Sequence, residues 1–397
     1  FGSVYPFLDL SVDTTTTTVT ASAVPDTATL TSGWGTENQN AVAAALADHP
    51  EADRLLTAAS VLDYETAGLA FDQLSGQIYP ATLTVMQNRS ATLRGAIGDR
   101  LRQADDALGS GAGPATAALA PGLEPSVWMQ GYGYWGDTDA SANTAELTQD
   151  TGGFVAGADA ELTDGLRLGF AGGYGSTSYA QPSLGASASM TSWDLAVYAG
   201  AGLGPLALRF GGAYGWQDIS TSRTVTMASF GDALSGDVDG STGQLFAEVS
   251  HELVLGVARV EPFAGLAYVA ADLDGAGESG GAAALAIEPG SLSNTYSTLG
   301  LRFAAPLPIL SEALSLRGGL GWRYALGDVS PVSTVAFAAG GDAFTDVGPA
   351  VGRKTALLDL GASYRFGQAL AADISYSGAF SDNGQSNGLN GLLSVRF

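Results

Sequence analysis

SWDLAVYAGAGLGPLALRFGGAYGW, Ser192 to Trp216, is the stretch on which the reading of this chain turns. It contains the longest apolar, uncharged run, Leu195 to Leu208. That run falls short of the ~20 residues a spanning helix needs and is broken by Gly and Pro. At period two, Trp193, Leu195, Val197 and Ala199 share one face and Asp194 lies on the other. After a turn at Gly202 to Pro205, Leu206, Leu208 and Phe210 oppose Arg209. Two strands joined by a tight turn, each with one apolar face, fit this pattern.

Working outward, the split recurs where Leu166, Leu168 and Phe170 oppose Arg167, and where Leu314, Leu316, Leu320 and Trp322 oppose Arg317 and Arg323. About twelve such strands run from Val127 onward. Soluble sandwiches also alternate, so the connections decide. Short turns are expected at Thr163 to Gly165, Gly202 to Pro205, Leu253 to Gly256 and Gly367-Gln368, with a somewhat longer one at Ala305 to Ser311. Between them fall long loops: Asp137 to Asp150, Tyr179 to Ala186, Ile219 to Gly240, Ala271 to Ser293 and Gly327 to Val351. Short turns on one side and long loops on the other are the rhythm of a transmembrane barrel. The expected fold is an all-β transmembrane barrel of about 12 antiparallel strands with an N-terminal α-helix in its pore.

Composition agrees with this. Charged residues are 14% of the chain and Gly numbers 55, which is little charge for a soluble surface and much Gly for a helical protein. The net charge of −24 argues against nucleic acid as a partner. The absence of cysteine excludes disulfides, thiolate metal sites and a cysteine nucleophile. FGSVYPFLDL has neither a basic leader nor an apolar core, so no signal peptide is expected there, and the chain reads as a piece of something longer.

Upstream of the strands lies AGLAFDQLSGQIYPATLTVMQNRSATLRGAIGDRLR, Ala67 to Arg102. Pro80 suits the first turn of a helix. Leu83, Met86, Leu93, Ile97 and Leu101 then form a narrow apolar stripe, accompanied by Arg89, Arg94, Arg100 and Arg102. A helix from about Pro80 to Asp105 would be ~39 Å long, more than the ~30 Å of bilayer hydrocarbon. Its four arginines make it a poor candidate for facing lipid. The strands supply another destination. Asp159, Glu161, Asp194, Glu248, Glu261, Asp359 and Asp373 fall opposite the apolar residues of their strands, as do Arg167, Arg209, Arg259, Arg302, Arg317, Arg323 and Arg365. If the apolar face meets lipid, these charges line a lumen in which a charged helix fits, and Arg89, Arg94 and Arg100 are expected to contact lumen acids.

The chain divides into four parts. Residues 1–32 read as β, rich in Thr and Val, and residues 33–79 as a helical connector. In the connector, Thr36 and Gln39 form a capping-box pattern, His49-Pro50 stops the first helix, and Leu55, Leu56, Ala59 and Leu62 make the apolar face of the next. Residues 80–124 are the pore helix and a Gly/Ala/Pro linker, and 125–397 the barrel.

The helix with AFDQLSGQIYPATL and IGDRLR, the strand VWMQGYGYWG, the run GGFVAGADAELTDGLRLGFAGGYGSTSY, the strand EPFAGLAYV and the final SVRF together resemble the translocator of autotransporters, the type V secreted proteins of Gram-negative bacteria. The resemblance spans Ala67 to Phe397. It implies a twelve-stranded outer-membrane barrel threaded by a helix that links it to a passenger exported to the cell surface, with residues 1–30 similar to the last rungs of a β-helical passenger. It also implies that Leu393, Val395 and Phe397 carry the signal read by the barrel-assembly machinery, a terminal aromatic at the rim also suiting the interfacial girdle. Outer-membrane lipid, lipopolysaccharide and the protein's own passenger are the other implied partners, and a monomer is expected. Some members cut their helix at paired asparagines inside the pore. Asn88 is followed here by Arg89, so helix and barrel are expected to stay joined.

Other chemistry finds little support. His49 and His251 sit in no metal spacing, and His251-Glu252 reads as a rim pair. There is no phosphate-binding loop and no G-x-S-x-G elbow, so no enzyme activity and no cofactor are expected. In GFAGGYGS, Gly169 to Ser176, the glycines are expected to let the helix or a neighbour approach closely. The acids of the long loops, including Asp137, Asp139, Asp232, Glu278, Asp342 and Asp346, read as a solvated surface, with cation bridging to lipopolysaccharide as a weaker alternative. The competing functional reading is a general porin or passive channel. The arginine-bearing helix is what separates the two.

Overall fold

The computed structural model describes residues 5–48, 54–104, 124–163, 165–228, 230–307, 314–366 and 370–395. At its start β1 (Leu8–Thr14) and β2 (Val19–Pro25) pair antiparallel in register from Leu8↔Pro25 to Thr14↔Val19. The tight link is closed by the Thr18 N–H donating to Thr15 Oγ1 at 3.0 Å. A parallel rung would need a long crossover. The described part of this segment is therefore a hairpin and not the β-helical rungs expected.

Four short helices follow. α1 (Thr27–Leu30) is capped by Asp26, and α2 (Glu37–Ala47) opens with the Thr36/Gln39 capping box. Next come α3 (Arg54–Ser60) and α4 (Tyr64–Ser75), the latter capped by Asp63 and ended by Gly76 in the left-handed conformation, φ +84°. The long α5 (Ile78–Ala104) begins two residues before Pro80. The helical stretch is thus two helices broken at Gly76, because only glycine adopts that C-cap conformation without strain. The connector is pinned by Phe7, Trp34, Tyr64 and Phe71, whose rings meet at 5.2–5.6 Å.

The remaining strands are β3 (Glu124–Thr138), β4 (Leu147–Thr163), β5 (Leu166–Gln181), β6 (Ala186–Leu203), β7 (Leu206–Met227), β8 (Phe230–His251), β9 (Leu253–Leu255), β10 (Ala258–Leu273), β11 (Ala276–Gly277), β12 (Leu285–Ile287), β13 (Gly290–Pro306), β14 (Leu314–Leu326), β15 (Val332–Phe337), β16 (Phe344–Val347), β17 (Lys354–Phe366), β18 (Leu370–Ser381) and β19 (Gly384–Val395). β3 to β8, β10, β13, β14 and β17 to β19 pair antiparallel in chain order, and β19 pairs back onto β3, closing a barrel of 12 strands. Closure leaves no free edge, the condition for a sheet to stand in lipid. Short turns need the residues they have: between β6 and β7, Gly204 takes φ +64° in the two-residue Gly-Pro turn beyond the Leu203↔Leu206 pair.

Burial assigns the two faces. Leu195 and Val197 are 59% and 67% exposed, while Asp194, Ala196 and Tyr198 are 9%, 5% and 4% exposed. Phe170, Leu245, Leu266, Leu299, Leu320 and Ile374 continue the outward apolar belt. Phe154, Tyr174, Trp193 and Trp216 are register neighbours across β4 to β7, all on one level, as in an interfacial aromatic girdle.

Two expected long loops are strand instead. β7 and β8 stay paired through Ile219↔Val238 to Met227↔Phe230, so Ile219 to Gly240 is an extension of the hairpin. Between Tyr179 and Ala186 only Pro182 to Gly185 leave the ladder, as one short turn. On the extended strand Ile219, Thr221, Arg223, Val225 and Met227 point inward and are buried, with Ser and Thr between them exposed. Polar residues on both faces had disguised the alternation as loop. The connections after β10 and β14 fold into a second sheet, β11-β12-β15-β16. That sheet, the β7/β8 extension and α1 to α4 enclose one apolar core with the first turns of α5, including Leu46, Phe71, Leu74, Leu83, Leu285 and Phe337. The long-loop end of the barrel therefore carries a folded cap.

Candidate functional site: the helix in the lumen

α5 enters at the capped end and runs down the lumen. At 27 residues it is ~40 Å long. Between Thr82 and Gln87 it is held by uncharged bonds. Thr82 Oγ1 lies 2.7 Å from the Tyr179 hydroxyl, Thr84 donates to the Pro349 carbonyl at 2.6 Å, and Gln87 donates to the carbonyls of Val269 and Leu292 at 3.2 and 2.7 Å. Glycines in the wall make room. A Cβ on Gly175 would stand 3.1 Å from Arg89 Nη2, one on Gly240 3.0 Å from Met86 Cε, and one on Gly200 3.1 Å from Leu101 Cδ2. Gly169 instead accommodates the Tyr198 ring, part of the neighbouring strand.

From Arg89 onward charge takes over. Arg89 Nη1 and Nη2 donate to Asp194 Oδ1 and Oδ2 at 3.2 and 2.5 Å. About 16 Å further along the axis, Arg100 Nε and Nη2 each donate to Asp159 at 2.6 Å. The same carboxylate accepts from Arg167 at 2.6 Å and from the Tyr198 hydroxyl at 3.0 Å, and Trp128 Nε1 donates to Tyr198 at 2.8 Å. Both partners of the Arg100–Asp159 pair are almost wholly buried. Two-pronged geometry and a low dielectric make such pairs directional and strong. Arg102 bonds Asp99, one turn before it, and approaches Glu248 at 3.7 Å.

The other expected lumen acids bond to the wall. Arg302 donates to Glu248 at 2.9 and 2.6 Å, and Arg209 reaches both Glu248 and Glu261 at 3.1 and 2.8 Å. Arg317 donates to Asp373 at 2.8 Å and lies 3.6 Å from Asp359. Glu161 faces Arg167 at 3.5 Å with its side chain 47% exposed. Asp159, Asp194 and Glu248 thus approach helix arginines, whereas Glu161, Glu261, Asp359 and Asp373 serve wall arginines. Arg94 departs from its expected acid contact. It donates to the Gln244 amide oxygen at 2.7 Å and has no carboxylate at ion-pair distance among the described residues, because the wall it meets carries Gln244 and Tyr296. Glu252 lies 3.8 Å from Arg259, which replaces the expected His251-Glu252 rim pair. The side chains of Arg365, Leu393 and Val395, and all of Phe397, lie outside the described residues.

Three groups escaped the sequence reading. Asp99, on the helix, lies 3.7 Å from Arg317, and its spacing of three from Arg102 was the available signal. Glu278 accepts from Arg223 Nε and Nη2 at 2.7 Å each and from the Tyr79 hydroxyl at 2.8 Å, so the start of α5, the β7 extension and the cap sheet meet on one buried carboxylate. Asn38 of α2 bonds Asn143 and the Val347 carbonyl, docking the connector onto two outer connections. Glu278 and Asp346, expected to be solvated, are 9% and 0% exposed. Among the described residues no cluster of acids and histidines has the makings of a metal site.

The helix does not fill the lumen evenly. It packs on β4 to β8, β10 and β13. On the side of β14, β17, β18 and β19 it leaves a cavity of about 340 Å³, bordered by Asn88, Thr92, Gly95 and Asp99 of α5.

Comparison with known proteins agrees with this geometry. The family model described as the autotransporter β-domain matches residues 127–377. Two proteins of Serratia marcescens named extracellular serine protease are 33% and 34% identical over 379 and 361 residues, 94% and 90% of this chain. The chain spans about a third of those relatives' length, 35% and 33%. Among solved structures the translocator domain of the autotransporter NalP from Neisseria meningitidis superposes with a TM-score of 0.58 at 20% identity, covering 78% of this chain and 98% of that one. The transport unit of the autotransporter AIDA-I from Escherichia coli gives 0.50 at 14% identity, covering 68% and 90%. A closed barrel of 12 strands, a salt-bridged helix inside it and a family match over most of the strands lead to one assignment: the chain belongs to the autotransporter β-domain family.

Proposed function

We propose that this barrel stands in the outer membrane of a Gram-negative cell, exports and anchors the passenger that precedes it, and keeps α5 in the pore as the last segment to enter. The observation that carries this is the direction of the helix. Its first residues meet the cap and the long-connection side through Tyr79 and Glu278, while Arg100 meets Asp159 near the short β4–β5 turn. With an even number of strands both barrel ends lie on the short-turn side, the periplasmic one. The residues before α5 then lie outside. In this reading residues 1–32 end the passenger, 33–79 are the connector, 80–124 the pore helix and linker, and 125–397 the barrel. Export draws on passenger folding outside and on assembly factors that read Leu393, Val395 and Phe397. Lipid and lipopolysaccharide surround a monomer. The shared name of the Serratia relatives makes a secreted serine protease the class of passenger we favour.

An epitope placed before Phe7 in intact cells tests the direction. Export requires that antibody and external protease reach it without permeabilising the outer membrane. An epitope reached only after permeabilisation overturns the assignment.

A further inference from the structure

The cavity beside α5 extends from the rim at Asp137 and Gln385 down to a floor of Asp99, Arg102, Arg302 and Arg317. None of α1 to α4 lines it, so the cap does not close this side. The floor charges satisfy one another. Arg317 meets Asp373, Asp359 and Asp99, Arg302 meets Glu248, and Arg102 meets Asp99.

Arg323 is different. It lines the cavity above this floor, yet it has no carboxylate at ion-pair distance among the described residues. Its guanidinium carbon lies 5.3 Å from the centre of the Tyr296 ring, and its Nε is buried without a hydrogen-bond partner. Arg94 acts on Arg323 as a like charge and also lies close to Tyr296. Two guanidiniums thus repel one another, Arg323 over the Tyr296 ring and Arg94 on the Gln244 amide oxygen. A guanidinium in low dielectric without a counter-charge is costly, and each group in such a pair raises the cost of the other. Neither can shed its proton at any ordinary pH. What relieves Arg323 is a mobile negative charge, for which the cavity it lines has room.

We propose that the lumen holds a site for a small inorganic anion at Arg323, with Arg94 adding attraction from the helix. The site needs only the helix to be in place, and does not rest on export. A halide suits the site as the smallest such charge, with the N–H groups of the guanidinium itself as its donors.

Bromide is the probe. Crystals of the full chain grown in detergent are exchanged into sodium bromide, and anomalous differences are measured at the bromine edge. A peak beside the Arg323 guanidinium is expected, lost in Arg323→Gln, retained in Arg323→Lys and weakened in Arg94→Gln, while the paired Arg302 and Arg317 show none. No peak at Arg323, a peak that persists in Arg323→Gln, or equal peaks at the paired arginines each overturn the proposal. The folded, fast-migrating gel form of every variant checks that a lost peak is not lost structure.

Discussion

Asp159 shows what single residues do here. Its carboxylate accepts from Arg100, Arg167 and Tyr198 with the side chain fully buried. Removing that charge strands Arg100 of the helix without its counter-charge, and breaking a buried pair from one side costs about 3–5 kcal/mol. Asp159→Asn is therefore expected to lower markedly the temperature at which the folded form is lost on semi-native gels. Glu161→Gln, two residues on and half exposed, is worth less than about 1 kcal/mol and should scarcely move it. The sequence offered Asp159 and Glu161 as equals, because alternation gives the face a residue points to and not its depth in the barrel. For the same reason it treated Arg94 like Arg89 and Arg100, although the wall opposite it holds an amide.

At the scale of elements, the cap contains a group whose charge opposes docking. Burial pushes the carboxyl of Asp346 well above its ordinary value, Asp72 adds to this, and the Arg223 guanidinium pulls the other way. Burial raises Asp72 too, less a bond from Gln39. A raised carboxyl in the folded state favours the docked cap fully below about pH 4, the unfolded value for Asp, and that contribution fades as pH rises through the raised value. The helix caps Asp26 and Asp63 are lowered by bonds from Thr29 and Thr66, so their contribution is lost on strong acidification. The protection factors of α2 to α4 against hydrogen exchange are therefore expected to decline as the pH rises above about 4, and Asp346→Asn should flatten that decline. Equal slopes in the two proteins would contradict it. Little of this cap was legible beforehand. The Thr36/Gln39 capping box was, since its signal lies within four residues. The β11-β12-β15-β16 sheet was not, since strands of two to six residues take their existence from packing against the connector.

For the whole molecule, the barrel was legible because lipid leaves no alternative to an apolar outer face, and every strand had to declare it. The charged helix was legible because arginines at that density have nowhere to go in hydrocarbon. Which wall the helix leans on was legible only in part: the glycine run from Gly169 to Ser176 contains Gly175, whereas Gly200 belongs to no such run. The native chain has no cysteine, so one pair of thiols reads that position directly. With cysteines at Leu101 and Gly200, treated in isolated outer membranes with a short bifunctional thiol reagent, both thiols should become unreactive to maleimide in the folded form, because helix and wall touch there. Two free thiols in a barrel that still migrates as folded would place the helix outside the ring of strands.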